Sequence, residues 1–328
     1  MVDEASKAIP QPESRRKVRR AATRAYLDEA RRIPDFSWFE TVHGFVYLRW
    51  PYLYISIALG EHPLARAYLW LRSIFNQRRK DQQRLSPAIE EPQHEHGTFA
   101  DGYHSKVLPL EAAKQLVSVR EDIELRDLES VIPFEVARDI VLKNPDHIVV
   151  LDCPCRSARG DGCLPLDVCL VVGEPFASFV AENHPQRSRW IDSEEAADIL
   201  QAEHERGHVH HAFFKDAMLG RYYAICNCCS CCCGAMQANR HGTPISISAG
   251  YVSHLDDEAC IDCGSCEEAC PFTAIVTYDN GVEINQALCM GCGVCVSTCD
   301  QGALSLVRDP SKSEPLIIAE LMRQVAPG

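Results

Sequence analysis

Apolar and polar positions change rhythm several times along this chain. Residues 1–32 are polar and locally basic, with Arg15, Arg16, Lys17, Arg19, Arg20, Arg24, Arg31 and Arg32. Ala21–Arg32 predicts a helix with a solvated basic face. Contact with anionic lipid or an acidic partner is the functional reading of the same charges. Residues 36–75 are aromatic and apolar. The run from Phe45 to Leu59 is 15 residues long and contains Arg49 and Pro51. A spanning helix needs about 20 apolar residues, so this run predicts core or subunit packing rather than a membrane span. The alternative is a segment lying on a membrane surface, with Trp and Tyr at the boundary. Gln77 to His96 is charged and turn-rich and reads as a linker.

From Leu108 the pattern becomes mixed. Pro109 suits the first turn of a helix to about Val119, and Pro133 predicts a second helix, Phe134–Leu142, with Ala137, Ile140 and Val141 on one face. Asn144-Pro145 stops it. His147–Asp152 has the length and composition of a strand. Asp192 with Glu195 caps a helix whose apolar face includes Ala196 to Leu200 and which Gly207 ends. Tyr251–His254 and Ala274–Tyr278 read as strands. Asp279-Asn280-Gly281 reads as a hairpin turn and Val282–Ile284 as the return strand. Leu316 to Met322 predicts a short amphipathic helix. The predicted class is α+β, in four parts. Residues 1–95 are a basic arm and aromatic helical region, and 96–250 a mixed α/β cysteine-rich domain. Residues 251–309 are a compact C-terminal domain, and 310–328 a terminal helix and tail.

Composition narrows the function. The formal net charge is −13. From Tyr251 to Asp309 ten acidic residues face one basic residue, Arg308, so this domain carries nine of those charges. An acidic face suits docking to a basic redox partner, or serves solubility alone. The acidic balance disfavours nucleic-acid binding. Eighteen cysteines exceed what packing requires. The polar N-terminal stretch lacks an apolar signal core, so the cysteines read as metal thiolates in a reducing cytoplasm.

The densest signal is a doubled motif. Cys260, Cys263, Cys266 and Cys270-Pro271 repeat as Cys289, Cys292, Cys295 and Cys299. Each half is Cys-x2-Cys-x2-Cys-x3-Cys, the spacing that holds a 4Fe-4S cluster, with the fourth cysteine crossing to the partner cluster. The expected ligand sets are Cys260, Cys263, Cys266 and Cys299, and Cys289, Cys292, Cys295 and Cys270. The repeat, with Gly264, Gly293 and Pro271, resembles the bacterial two-cluster ferredoxin domain. That resemblance implies a pseudo-twofold pair of β-α-β halves around two 4Fe-4S clusters. One position departs from it: Asp300 stands where the family has proline, placing a carboxylate near the first cluster.

Two further cysteine sets match no named family. Cys153, Cys155, Cys163 and Cys169 surround a glycine-containing loop, and four such ligands suit one iron–sulfur cluster or one zinc. Arg156 is placed to hydrogen-bond cluster sulfur. Cys226, Cys228, Cys229, Cys231, Cys232 and Cys233 crowd into eight residues. If the segment is extended, Cys226 and Cys228 face one side, and Cys229, Cys231 and Cys233 the other. The ten predict at least one further iron–sulfur cluster, or zinc, with partners drawn from both sets. Leftover thiols would be redox-active. His204-Glu205-Arg206-Gly207-His208 matches the zinc-hydrolase helix motif, but Gly207 would end the helix before His208. For His210 and His211 the options are a haem axial ligand, a cluster ligand or a proton carrier, against ordinary polar residues.

The pattern therefore predicts a multi-cluster iron–sulfur electron-transfer protein, cytoplasmic or peripheral at the inner membrane face. It would serve as a subunit or docking partner of a larger redox complex. No flavin, nicotinamide or nucleotide fingerprint occurs, which favours a carrier. The rival is an oxidoreductase with its catalytic centre at Cys226–Cys233, fed by the C-terminal domain. A zinc hydrolase at residues 204–208 comes third.

Overall fold

The protein is seen here as a computed structural model that describes residues 15–34, 36–68, 102–134, 136–279 and 281–325. Its strands are β1 (Tyr103–Leu108), β2 (Ile123–Leu125), β3 (Ile140–Leu142), β4 (Ile148–Asp152), β5 (Asp167–Val172), β6 (Ser188–Ile191), β7 (Val209–Lys215), β8 (Arg221–Cys228), β9 (Ser246–Ile247), β10 (Tyr251–Leu255), β11 (Ile275–Tyr278), β12 (Gly281–Ile284) and β13 (Leu304–Arg308). Seven of them form one sheet in the order β6-β4-β5-β8-β7-β1-β9. Every pair is antiparallel except β1 with β9.

Both faces of this sheet are covered, because side chains alternate between two apolar cores. Val149, Leu151, Val171, Phe213 and Tyr223 pack with Tyr26, Phe176 and Phe179 on one side. Ile148, Val150, Leu170, Ala212, Phe214 and Ile225 pack with Leu116 and Leu200 on the other. A strand buried on both faces loses its alternating pattern, as in β7, where all seven residues are buried. The helix Ser193–Glu205 lies on the second face. Asp192 Oδ1 accepts from the Glu195 amide at 2.8 Å, and Gly207 ends it with φ of 77°.

The aromatic N-terminal stretch folds as two helices, Trp38–Arg49 and Pro51–Ala58. Ser37 and Glu40 close a reciprocal capping box on the first. Their inner sides pack on the first core through Phe45, Tyr47, Leu48 and Tyr52. Their outer sides leave Trp38, Phe39, Leu53 and Ile57 exposed, Trp38 by 77 %. No helix among the described residues is long and apolar enough to cross a membrane. The stretch from Gln77 to His96 lies outside the described residues.

One expected element is absent. Phe134–Leu142 is not a helix: Ala137 has φ of 56°, and Ile140–Leu142 pairs with Ile123–Leu125 as a hairpin. The β-branched Ile140-Val141 pair favours that outcome once a partner strand is available. The C-terminal helix forms as Ile318–Val325, with Leu316, Ile318 and Leu321 buried in the second core. In the C-terminal region β10 pairs with β13 and β11 with β12. The β11–β12 connection runs through Asp279 and residue 280, the latter outside the described residues.

The helix Arg15–Ala30 is fastened by Tyr26, whose hydroxyl donates to the carbonyls of Ala217 at 3.1 Å and Thr41 at 3.2 Å. Gly44 approaches the same place so closely that a Cβ there would collide with the Ala217 carbonyl and the Tyr26 hydroxyl. On helix propensity alone Gly44→Ala would stabilise by about 1 kcal/mol. Here it is expected to destabilise by about 1–3 kcal/mol through overpacking. Thermal unfolding followed by circular dichroism checks this, and an unchanged or higher midpoint would contradict the packing described.

Candidate metal centres

In the C-terminal region Cys260, Cys263, Cys266 and Cys299 line one cavity of about 20 Å³, together with Leu255, Gly264 and Leu304. Gly264 and Gly293 both adopt positive φ, 76° and 83°, turning each cysteine loop into a short helix. Cys289 and Cys270 pack together under Val252 and Ala274, and Cys295 lies close to both. Burial pushes the Cys295 thiol up to about 11, followed in effect by a lowering hydrogen bond with Ser253. Backbone amides donate to sulfur: Ser253 to Cys289 at 3.3 Å, Ala274 to Cys270 at 3.3 Å, and Asp262 to Cys260 at 3.5 Å. Such donors compensate thiolate charge in a buried cluster site. The donor set and the thiol-lined cavity fit 4Fe-4S clusters.

The ten middle cysteines separate into six and four. β4 ends at Asp152 and delivers Cys153; the short helix Pro154–Ser157 brings Cys155. Cys169 on β5 stands opposite Cys226 on β8. Cys228 ends β8, and Cys233 sits at the start of the helix Gly234–Arg240, its Sγ 3.1 Å from Cys228 Sγ. These six, with Cys229 at the edge of the second group, line a chamber of about 220 Å³. Contact continues between Cys153 and both Cys155 and Cys169, between Cys155 and Cys233, and between Cys169 and Cys226. Thiol–thiol contact is the leading influence on several of them: contact with Cys155 and Cys169 pushes Cys153 down, and contact with Cys153 pushes Cys169 and Cys155 up.

The chamber is also lined by Tyr47, Tyr103, Tyr223 and Lys215, with Ile55, Leu59 and Phe213. Tyr47 and Tyr223 hydroxyls lie 2.9 Å apart. Lys215 Nζ sits 4.7 Å from the Tyr103 ring centre and 4.9 Å from that of Tyr47. Burial lowers the Lys215 ammonium to about 8. Sequence inspection missed these four residues. The one available signal was a lysine closing the apolar run Val209–Lys215, and the distant tyrosines gave none.

The other four, Cys163, Cys229, Cys231 and Cys232, have all their sulfurs within 4.8 Å of one another. Two expectations are thereby corrected. Cys153, Cys155, Cys163 and Cys169 are not one unit, because the loop carries Cys163 away from the chamber. Cys233 is not grouped with Cys231; the strand stops at Cys228, and the turn through Ser230 returns Cys233 to Cys228 in the chamber that Cys229 also lines.

Arg156 lines the chamber. Its buried guanidinium donates to the carbonyls of Pro165 (2.5 Å) and Asn227 (3.0 Å), pairs with Glu203 at 2.6 Å and lies 3.1 Å from His208 Nδ1. The ion pair ties the Cys153–Cys155 turn to the helix Ser193–Glu205 and to β8. The histidines do not converge on a shared point. His208 Nδ1 lies 2.7 Å from Glu203 Oε2, Glu205 is exposed, and His204 stacks instead on His210 at 5.4 Å. His210 Nδ1 lies 2.6 Å from Asn227 Oδ1. Burial lowers His210 to about 4 and His211 to about 3, so both are neutral near pH 7.

The C-terminal region and the chamber are joined through one core. Cys292 and Val294 belong to the same apolar cluster as Cys153, Cys169, Cys228 and Cys233. Arg240 donates to the Pro271 carbonyl at 3.2 Å, and the Ala249 amide to the Met290 carbonyl at 2.9 Å.

Comparison with known proteins agrees with this C-terminal geometry. Residues 253–300 match the family of 4Fe-4S dicluster domains. Hydrogenase-4 component A of Escherichia coli is 37 % identical over 60 residues, 18 % of this chain and 27 % of that protein. An uncharacterized ferredoxin of Methanocaldococcus jannaschii is 35 % identical over 80 residues, 24 % of this chain and 47 % of that protein. Pyruvate synthase subunit PorD of the same organism is 38 % identical over 56 residues, 17 % of this chain and 65 % of that protein. The chain thus spans less than two thirds of each of these relatives. Its C-terminal domain is ferredoxin-like and iron–sulfur-binding.

The Asp300 carboxylate acts electrostatically on Cys263. Negative charge opposes adding an electron, so Asp300→Asn is expected to raise the potential of the centre at Cys260, Cys263, Cys266 and Cys299. The rise should be roughly 20–60 mV, the effect of one charge 6–10 Å away in a high effective dielectric. A redox titration followed by electron paramagnetic resonance measures it, and an unchanged potential refutes the assignment.

Proposed function

We propose that the chain is a multi-cluster iron–sulfur protein that moves single electrons as a subunit or docking partner of a larger redox complex. In this reading Cys260, Cys263, Cys266 and Cys299 hold one 4Fe-4S cluster, and Cys289, Cys292, Cys295 and Cys270 the other, in two β-α-β halves. Cys153, Cys155, Cys169, Cys226, Cys228 and Cys233 supply thiolates to a further iron–sulfur centre. Bound clusters supply reversible one-electron oxidation and reduction. The chain's part is to hold the thiolates, donate amide hydrogens to sulfur, exclude water and set the local charge. The observation that carries the reading is the single apolar core shared by Cys292 and four of the chamber cysteines, which brings the two thiol systems together. The acidic C-terminal surface suits a basic partner and would speed its encounter. The exposed Trp38, Phe39, Leu53 and Ile57 supply an apolar surface for a subunit or a peripheral membrane contact.

A second reading, reduction of a small substrate inside the chamber, has its own support. The chamber is about 220 Å³, against about 20 Å³ where the four thiols of the C-terminal cavity meet. Tyr47, Tyr223 and Lys215 bring proton-bearing groups to the same chamber as the thiols. Those are the groups a coupled electron and proton transfer requires.

Iron and acid-labile sulfide per chain, on protein purified without oxygen, test the main reading. About twelve irons or more are expected; about eight would leave the chamber without a cluster and sink it. Cys169→Ser combined with Cys226→Ser should remove about four irons while the reduced-state spectrum of the C-terminal domain persists. Faster reoxidation of the reduced protein on adding a candidate acceptor, abolished by Lys215→Met at unchanged iron content, would move the assignment to the enzyme.

A further inference from the structure

We propose that Cys163, Cys229, Cys231 and Cys232 form a separate site for one thiophilic divalent ion, zinc or mononuclear iron, and belong to no iron–sulfur cluster. Cys163 Sγ lies 3.0 Å from Cys231 Sγ and 3.8 Å from Cys232 Sγ, and Cys231 Sγ lies 3.5 Å from Cys232 Sγ. All four sulfurs fall within 4.8 Å of one another. Four thiolates bonded at about 2.3 Å around one tetrahedral ion stand about 3.8 Å apart. A cubane carries its cysteine sulfurs outside a four-iron core, which forces them further apart. The six chamber thiols touch pairwise around about 220 Å³, Cys228 with Cys233 at 3.1 Å, whereas the sulfurs of the quartet are all close to one another at once.

The quartet's place in the fold gives the ion a purpose. No residue from Ser157 to Asp167 is fully buried, and Leu164 is exposed, so this loop has no apolar anchor. The Cys163 amide already donates to Cys232 Sγ at 3.5 Å, the kind of contact that stabilises a metal-bound thiolate. Gln237 Nε2 donates to the Cys231 carbonyl at 2.7 Å and Arg240 to the Ser230 carbonyl at 3.1 Å, which sets the turn from the other side. A single ion joins the loop to that turn and so fixes Cys229, which lines the chamber as well. Four closely placed thiols, with Cys231 exposed as the point of entry and Cys229 and Cys232 buried, would hold such an ion and add its binding energy to the stability of the fold. This inference goes beyond the electron-transfer reading and does not depend on the chamber's contents.

Metal analysis of the full chain, purified without oxygen, is the first test. The expected result is one zinc per chain, or one iron per chain in excess of acid-labile sulfide. Zinc and iron X-ray absorption on the unaltered protein identifies which it is. Four sulfur neighbours at about 2.3 Å are expected around that ion; nitrogen or oxygen neighbours, or no such ion, overturn the proposal. Cys231→Ser, at the exposed member, should release that one ion with acid-labile sulfide unchanged. Loss of iron and sulfide together, in equal number, would place the quartet in a cluster and overturn it. So would absence of the ion accompanied by two quartet thiols that resist alkylation until reductant is added, the mark of a disulfide. Because the absorption measurement needs no variant, a poorly folding Cys231→Ser protein leaves the proposal decidable.

Discussion

The pairing of β5 with β8 is the constraint on which the central region depends. It sets Cys169 opposite Cys226, and side chains alternate along each strand, so a slip of one residue would send both thiols to the wrong face. The register is held by what lies on that other face. Leu170 and Ile225 must enter the second core beside Ala212 and Phe214, and they can do so only if Cys169 and Cys226 point into the chamber. Apolar burial thereby aims the thiols. The buried Arg156–Glu203 pair performs the same service for the neighbouring turn. Removing Glu203 would leave the Arg156 guanidinium at 1 % exposure without its carboxylate, at a cost of about 3–5 kcal/mol, whereas Glu203 without Arg156 would keep Arg206 and His208.

A chamber of thiols at the end of a sheet needs a cover, and the aromatic N-terminal helices provide it. Tyr47, Leu48, Pro51, Tyr54, Ile55 and Leu59 all line the chamber. The same helices expose a second aromatic side, which is why their sequence, read first as core or subunit packing, also allowed a surface segment. Both faces are apolar for different reasons, and hydropathy alone does not tell them apart. Tyr26 fastens this cover to the Ala217 turn, linking the lid to the strand β7 that carries Lys215.

Legibility followed the range of the interactions. The ferredoxin-like domain was readable because its ligands recur at short fixed spacings, each loop prescribed by a few adjacent residues. The helix from Ser193 was readable from Asp192 and Glu195, a cap formed within one turn. β7 and β8 were not, since strands buried on both faces carry no alternation. Phe134–Leu142 showed the opposite failure: its helical spacing was outweighed by a partner strand 17 residues earlier in chain order, Ile123–Leu125. The division of the ten middle cysteines into six and four was out of reach, because it depends on where β8 ends. Up to Cys228 the strand alternates as expected; beyond it, a turn places neighbouring thiols in different sites. The hydrolase-like motif at 204–208 failed for a local reason that was visible in advance, namely the left-handed Gly207.

The shared core has a further consequence for how the parts work together. Cys292 and Val294 pack with the chamber cysteines, and the end of the helix Ser193–Glu205 rests on the same turn, Gly207 against Val294 and His204 against Gly293. The stacked His204 and His210 therefore run from the cysteine loop of the C-terminal domain to Asn227 on β8, next to Cys226 and Cys228. Both histidines are held toward the neutral form by burial. Neutral imidazoles add no positive charge between the two thiol systems. They do, however, keep polar nitrogens in an otherwise apolar junction: His204 Nδ1 and His210 Nε2 have no hydrogen-bond partner. An apolar pair would pack there at lower cost, so this contact between the helix end and the C-terminal cysteine loop is not built for stability alone.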